Sequence, residues 1–128
     1  MIWKGNTVIE KNFADIEVKY DIDDIDEELR SFIVVVNQID GVKTLSCCCG
    51  HGEDKCRVYM AFNDVKTINH FIFTFLNPFY NWSFRIENNI VRDQDYLTVC
   101  LESPTIDYML NREQINELTW KILDMELT

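Results

Sequence analysis

Two stretches of the chain, "WSFRIE" and "YLTVCLES", alternate apolar and polar residues without a break. Trp82, Phe84 and Ile86 fall on one side of the first, and Leu97, Val99 and Leu101 on one side of the second. Only an extended strand puts every second side chain on the same face. Two such strands close together in sequence make a hairpin, with Asn88-Asn89 as the expected turn. "ADIEVKYDI" repeats the pattern, setting Ile16, Val18, Tyr20 and Ile22 against Asp15, Glu17, Lys19 and Asp21, and "NTVIE" before it also alternates. Strands that are apolar on one side need a layer to cover that side.

Three stretches with helical spacing supply the layer. In "DDIDEELRSFIVVVNQIDG", Ile25, Leu29, Phe32, Ile33, Val36 and Ile39 share a face. Asp24 is its expected N-cap, Glu27 the capping-box partner and Gly41 the stop. "DVKTINHFIFTFLNPFY" is a second helix, capped at Asn63 or Asp64 and ended by Pro78. Val65, Ile68, Phe71, Ile72, Phe75, Leu76 and Phe79 form its apolar face, and His70 is a surface or core-edge residue rather than a ligand. "NREQINELTWKILDMEL" is the third, with Asn111 as cap and Gln114 at the capping-box position. Between the first two helices, "VKTLSCC" and "RVYMAF" read as short strands. The expected fold is α+β: a largely antiparallel sheet with one wet face, covered by about three helices as a two-layer sandwich. Residues 1–128 are expected to form a single domain.

Charge narrows the class of partner. With 12 Lys and Arg against 22 Asp and Glu, the net charge is −10. Nucleic-acid binding needs phosphate neutralisation by Lys and Arg, so nucleic acid is not the expected partner. Acidity serves solubility, or fits a basic protein. "MIWKGNTVIEK" has no apolar run of the kind a signal peptide needs, and "FIVVV" is far too short to span a bilayer. The five cysteines are an odd count and are expected to be reduced, which places the protein in the cytoplasm, away from membranes. The acidic run "DIDDIDEE" does not make a calcium loop. Counted from Asp21, the fifth and sixth positions hold Ile25 and Asp26, where an oxygen ligand and Gly are required. Acids there suit a helix N-terminus.

"TLSCCCGHGEDKC" concentrates the chemistry, with four cysteines and one histidine between Thr44 and Cys56. Zinc would need four ligands, usually from two short knuckles. Cys47, Cys48, Cys49, His51 and Cys56 offer enough atoms, but no C-x2-C pair exists and adjacent strand cysteines diverge. No metal site is therefore expected. A second reading makes Cys48 a nucleophile and His51 its base, with Lys55 and Arg57 favouring the thiolate. Gly50 and Gly52 would turn backbone N–H groups inward, forming a small nest where an anion meets His51 and Arg57. The third reading is structural: the cysteines are buried in an inner strand from Thr44 to Cys49, and Gly50-His51-Gly52 is an exposed turn.

The segment "GVKTLSCCCGHGEDKCRVYMAF" is similar to one found in small, mostly uncharacterised bacterial and phage proteins. The shared places are Gly41, Val42, Thr44, Cys47, Cys48, Gly50, His51 and Tyr59. A more distant likeness is to the wybutosine-synthesis tRNA methyltransferase family, whose motif centres on Ser-Cys-Ser-Gly. Cys48 and Gly50 match it, Cys47 and Cys49 replace the serines, and His51 stands in place of Arg. That likeness implies a role near RNA or a nucleotide. No glycine-rich fingerprint for a nucleotide cofactor is present, so no cofactor is expected.

Two functions follow as expectations. The first is a small acidic binding or interaction module, of phage or bacterial origin, acting as a homodimer or with a protein partner. Trp3, Tyr20, Phe79, Tyr80 and Trp82 are its candidate contact aromatics, and "NPFYNW" its candidate surface. The alternative is an enzyme or an anion- or nucleotide-binding protein that uses the loop of Cys48, Gly50, His51, Gly52 and Arg57.

Overall fold

The computed structural model describes the backbone of residues 8–13, 16–21, 25–77, 79–91 and 94–126, and side chains over 25–77, 79–86 and 97–125. The fold is α+β. β1 (Val8–Phe13) and β2 (Ile16–Asp21) form an antiparallel hairpin with Val8 opposite Asp21. Then come α1 (Glu27–Val36), β3 (Val42–Cys48), β4 (Arg57–Phe62), α2 (Val65–Phe71), β5 (Ser83–Val91), β6 (Gln94–Glu102) and α3 (Tyr108–Glu126). β3 to β6 make one antiparallel sheet in the order β3-β4-β6-β5.

All three helices contribute to a core on one face of this sheet. Leu29, Phe32, Ile33 and Val36 of α1 meet Ile68 and Phe71 of α2, Ile115, Leu118 and Ile122 of α3, and Val58, Met60, Phe62, Val99 and Leu101 of the central strands. The α1 face expected from its spacing is buried throughout. An aromatic cluster ties α2 to the sheet. Phe71 lies 5.6 Å from Phe62 edge-on, 5.3 Å from Phe75 and 6.0 Å from Phe84 in a stacked pair.

The helix ends depart from expectation in instructive ways. Asp24 lies outside the described residues, and the N-cap of α1 is Asp26, whose side chain makes no cap bond to its own helix. Asp64 does cap α2, accepting the Thr67 N–H at 2.8 Å. α2 continues as a π-helical turn over Ile72–Leu76. The wider turn keeps Phe71 and Phe75 inward while Phe73 faces solvent, and Val65 is exposed rather than part of the apolar face. α3 starts three residues before Asn111, which is buried inside the helix. The cap is Asp107, whose carboxylate accepts the Leu110 N–H at 3.2 Å.

Pairing also differs from expectation. β3 is an edge strand, not an inner one, because the β5–β6 hairpin docks through β6 on the far side of β4. A bulge between Thr44 and Ser46 then resets its alternation. Val42 and Thr44 are buried before the bulge; after it Cys47 packs on the core while Ser46 and Cys48 are exposed. Asn88 and Asn89 do not turn. They pair with Leu97 and Tyr96 inside a nine-residue ladder that ends at Val91 opposite Gln94. The second face of the sheet is not uniformly wet either: Lys43, Ala61, Thr98 and Cys100 are buried there.

Candidate functional site

α1 is clamped to the edge strand at both ends. At its C-terminal end, Asn37 Nδ2 donates to Thr44 Oγ1 at 2.8 Å, and the Thr44 N–H donates back to Asn37 Oδ1 at 3.2 Å. At its start, the Asp26 carboxylate that leaves its own helix uncapped accepts the Cys49 N–H at 2.9 Å. This cross-link places Asp26 beside the loop that the sequence singles out.

The loop turns through three consecutive residues in the left-handed region: Gly50 (φ 84°), His51 (φ 52°) and Gly52 (φ 77°). The Gly50 carbonyl accepts both the Glu53 N–H (2.9 Å) and the Asp54 N–H (3.1 Å), which closes the turn. Gly50 has no alternative, since a Cβ there would sit 2.1 Å from the Asp54 carbonyl oxygen. His51 tolerates its φ at a strain of about 1–2 kcal/mol. That backbone brings the imidazole over the end of β3, with Nε2 at 3.5 Å from Asp26 Oδ2 and Nδ1 at 3.5 Å from Cys49 Sγ. Ligand atoms of Asp26, Cys48 and His51 all lie within 4.8 Å of one another.

At the expected anion nest the chain's own acceptors take two N–H groups. The Cys49 N–H goes to Asp26 at 2.9 Å and the Gly50 N–H to Cys48 Sγ at 3.4 Å. Arg57 is committed elsewhere. Its Nε donates to Glu102 at 2.5 Å and its NH1 to Asp54 at 2.9 Å, which raises its pKa. Lys55 and Arg85 also face Glu102, at 4.0 and 3.7 Å. The structure thus joins Cys48, Gly50 and His51 to Asp26 and leaves Gly52 in the turn; Arg57 stands opposite Cys48 in the β3–β4 ladder, with its guanidinium bonded to Glu102 and Asp54. The sequence places Asp26 only in the acidic run at a helix start, where an acid is ordinary. The available signal is a cap residue that turns out to have another partner.

The thiols are differently disposed. Cys48 is exposed, whereas Cys47, Cys49 and Cys56 are pushed up to about 12, chiefly by burial. Cys47 and Cys49 also lie near the Asp26 carboxylate. Cys49, the thiol that His51 Nδ1 faces, is therefore held protonated, which opposes nucleophilic chemistry there. Behind it, a cavity of about 10 Å³, the size of one water molecule, is lined by Glu28, Cys56, Tyr108, Asn111 and Arg112 among others. Tyr108 donates to Glu28 across it, lowering the Glu28 pKa and raising its own.

The second candidate surface lies on α3. Glu113, Asn116, Glu117, Trp120, Lys121 and Asp124 recur at helical spacing and line a shallow groove. Trp120 is 67 % exposed. It faces outward because Ile115, Leu118, Thr119 and Ile122 take the buried side of the helix. An adjoining hollow brings Phe75, Phe79 and Tyr80 to the same helix. Two of the three aromatics of "NPFYNW" form a plug. Phe79 is buried against Trp82 at 5.4 Å, and the Trp82 indole donates to Gln114 at 2.6 Å. Tyr80 is the exposed aromatic, 54 % open, and donates to Glu117. The side chains of Trp3 and Tyr20 lie outside the described residues. Comparison of the chain with protein-family models, curated proteins and solved structures finds no match.

Proposed function

We propose that the protein is a binding module, not a thiol enzyme, and that its partner presents a Lys- or Arg-rich segment to the Trp120 face of α3. The observation that carries this reading is an exposed tryptophan set among Glu113, Glu117 and Asp124. Tryptophan is the strongest aromatic partner for a cation and a frequent interface anchor. The one cation in the groove, Lys121, points its ammonium at the Phe75 carbonyl, 3.1 Å away. A cation over Trp120 contributes about 0.5–1 kcal/mol at an exposed site. Each carboxylate partner adds up to about 1 kcal/mol. The complex is therefore weak and salt-sensitive, as transient contacts are.

The same charges disfavour the alternatives. A second copy would set acids against acids, and phosphate backbones would be repelled. Among the described residues no helix is long and apolar enough to cross a membrane. Five free cysteines suit a reducing, cytoplasmic setting.

The test is fluorescence anisotropy of a labelled Lys/Arg-rich peptide, with light scattering on the same samples. The module binds the peptide, Trp120→Ala and Asp124→Asn weaken it, and added salt weakens it further. A homodimer that buries the face and takes no peptide would overturn the reading in favour of self-association.

A further inference from the structure

We propose that Asp26, Cys48 and His51 form a three-ligand site for a zinc-class divalent cation, with the fourth position open to water. The donor set of carboxylate oxygen, thiolate sulfur and imidazole nitrogen is the one zinc takes. The geometry is close to what it needs. With metal–ligand bonds of about 2.0–2.2 Å, two ligands of a tetrahedron lie about 3.4 Å apart. His51 Nε2 and Asp26 Oδ2 are 3.5 Å apart, too long for a strong hydrogen bond and the right length for a shared ion. Cys48 Sγ lies within 4.8 Å of both partners' ligand atoms and is on an exposed side chain.

The surroundings hold each ligand in place. Cys49 fixes two of them, with its N–H on Asp26 and its sulfur on His51 Nδ1. A metal-bound histidine characteristically has its other ring nitrogen so engaged. The Gly50 N–H meets Cys48 Sγ at 3.4 Å. The left-handed backbone at His51 is strain of the kind that accumulates at functional sites. Divergence of adjacent strand cysteines, the reason for expecting no metal, is met by using only Cys48 from the strand and recruiting Asp26 from α1. On binding, the Cys48 S–H bond breaks, its proton passes to solvent, and the sulfur electron pair goes to the metal.

The experiment is titration of the reduced 128-residue chain with Co²⁺, followed by displacement with Zn²⁺. One equivalent of Co²⁺ is expected to raise a thiolate-to-cobalt charge-transfer band and tetrahedral d–d bands, both erased by Zn²⁺. Cys48→Ser removes the charge-transfer band, and His51→Ala weakens binding by more than about tenfold. Cys47→Ser and Trp120→Ala leave both unchanged, which separates this site from the α3 surface. Absence of the charge-transfer band in the unsubstituted protein, or its persistence in Cys48→Ser, would overturn the assignment.

Discussion

Replacing Gly50 with Ala tests how tightly the loop is built. At φ 84° an L side chain adds about 1–2 kcal/mol of backbone strain. The new Cβ would also meet backbone, at 2.1 Å from the Asp54 oxygen, 2.8 Å from its carbonyl carbon and 3.0 Å from the Lys55 oxygen. Backbone cannot rotate aside as a side chain does, so the turn has to open. Opening weakens the Glu53 and Asp54 N–H bonds to the Gly50 carbonyl, each contributing about 1 kcal/mol. The sum is a loss of about 3 kcal/mol. Gly52 is the control, because its φ of 77° carries the same strain while a Cβ there meets nothing within 4 Å. Gly52→Ala is expected to lose only about 1 kcal/mol. In a chain of this size 1 kcal/mol moves the melting temperature by roughly 3 °C, so thermal unfolding by circular dichroism separates the two variants by roughly 6 °C. Equal melting temperatures would refute the packed turn.

Other outcomes follow from the same geometry. Iodoacetamide labels Cys48 first, at a rate no greater than that of free cysteine, with Cys47, Cys49 and Cys56 far slower; mass mapping of a Cys48 that outpaces free cysteine would restore the enzyme reading. Arg57 holds Glu102 below its ordinary value of 4.5, so this contribution to stability is complete above that pH and is lost as pH falls through the lowered value. Glu102→Gln is therefore expected to lose about 2 kcal/mol at neutral pH in urea titrations and progressively less in acid; a constant difference down to the acid limb contradicts it. His51→Ala changes stability by no more than about half a kcal/mol in the metal-free protein, since the side chain is 65 % exposed; a large loss on urea unfolding would mark His51 as structural.

What was legible in the sequence was local. Alternation at Phe84, Ile86, Val99 and Leu101 identified strands that pair in that register, and the spacing from Ile25 to Ile39 identified a buried helical face. What was not legible depended on distant partners. The edge position of β3 follows from β6 choosing β4, a contact between residues about 40 apart, as in Tyr59 with Cys100. Asn111 resembles a cap in isolation, yet Asp107 caps α3 and Asn111 is buried at the cavity between the helices. The candidate site divides in the same way. Cys48, Gly50 and His51 stand out by composition, but Asp26 joins them only because the first turn of α1 packs on the end of β3. Trp120 belongs to a helix whose apolar face points away from it.

The binding surface is tested most directly at one proton. In a ¹⁵N-labelled sample, the indole N–H resonances of Trp120 and Trp82 are followed as a Lys/Arg-rich peptide is added. Trp82 is the internal control, because its N–H is already donated to Gln114 and its ring packs on Phe79. Saturable movement of Trp120 with Trp82 still is the predicted result. An unmoving Trp120, or shifts confined to Cys48–Gly52, would contradict a partner surface on α3.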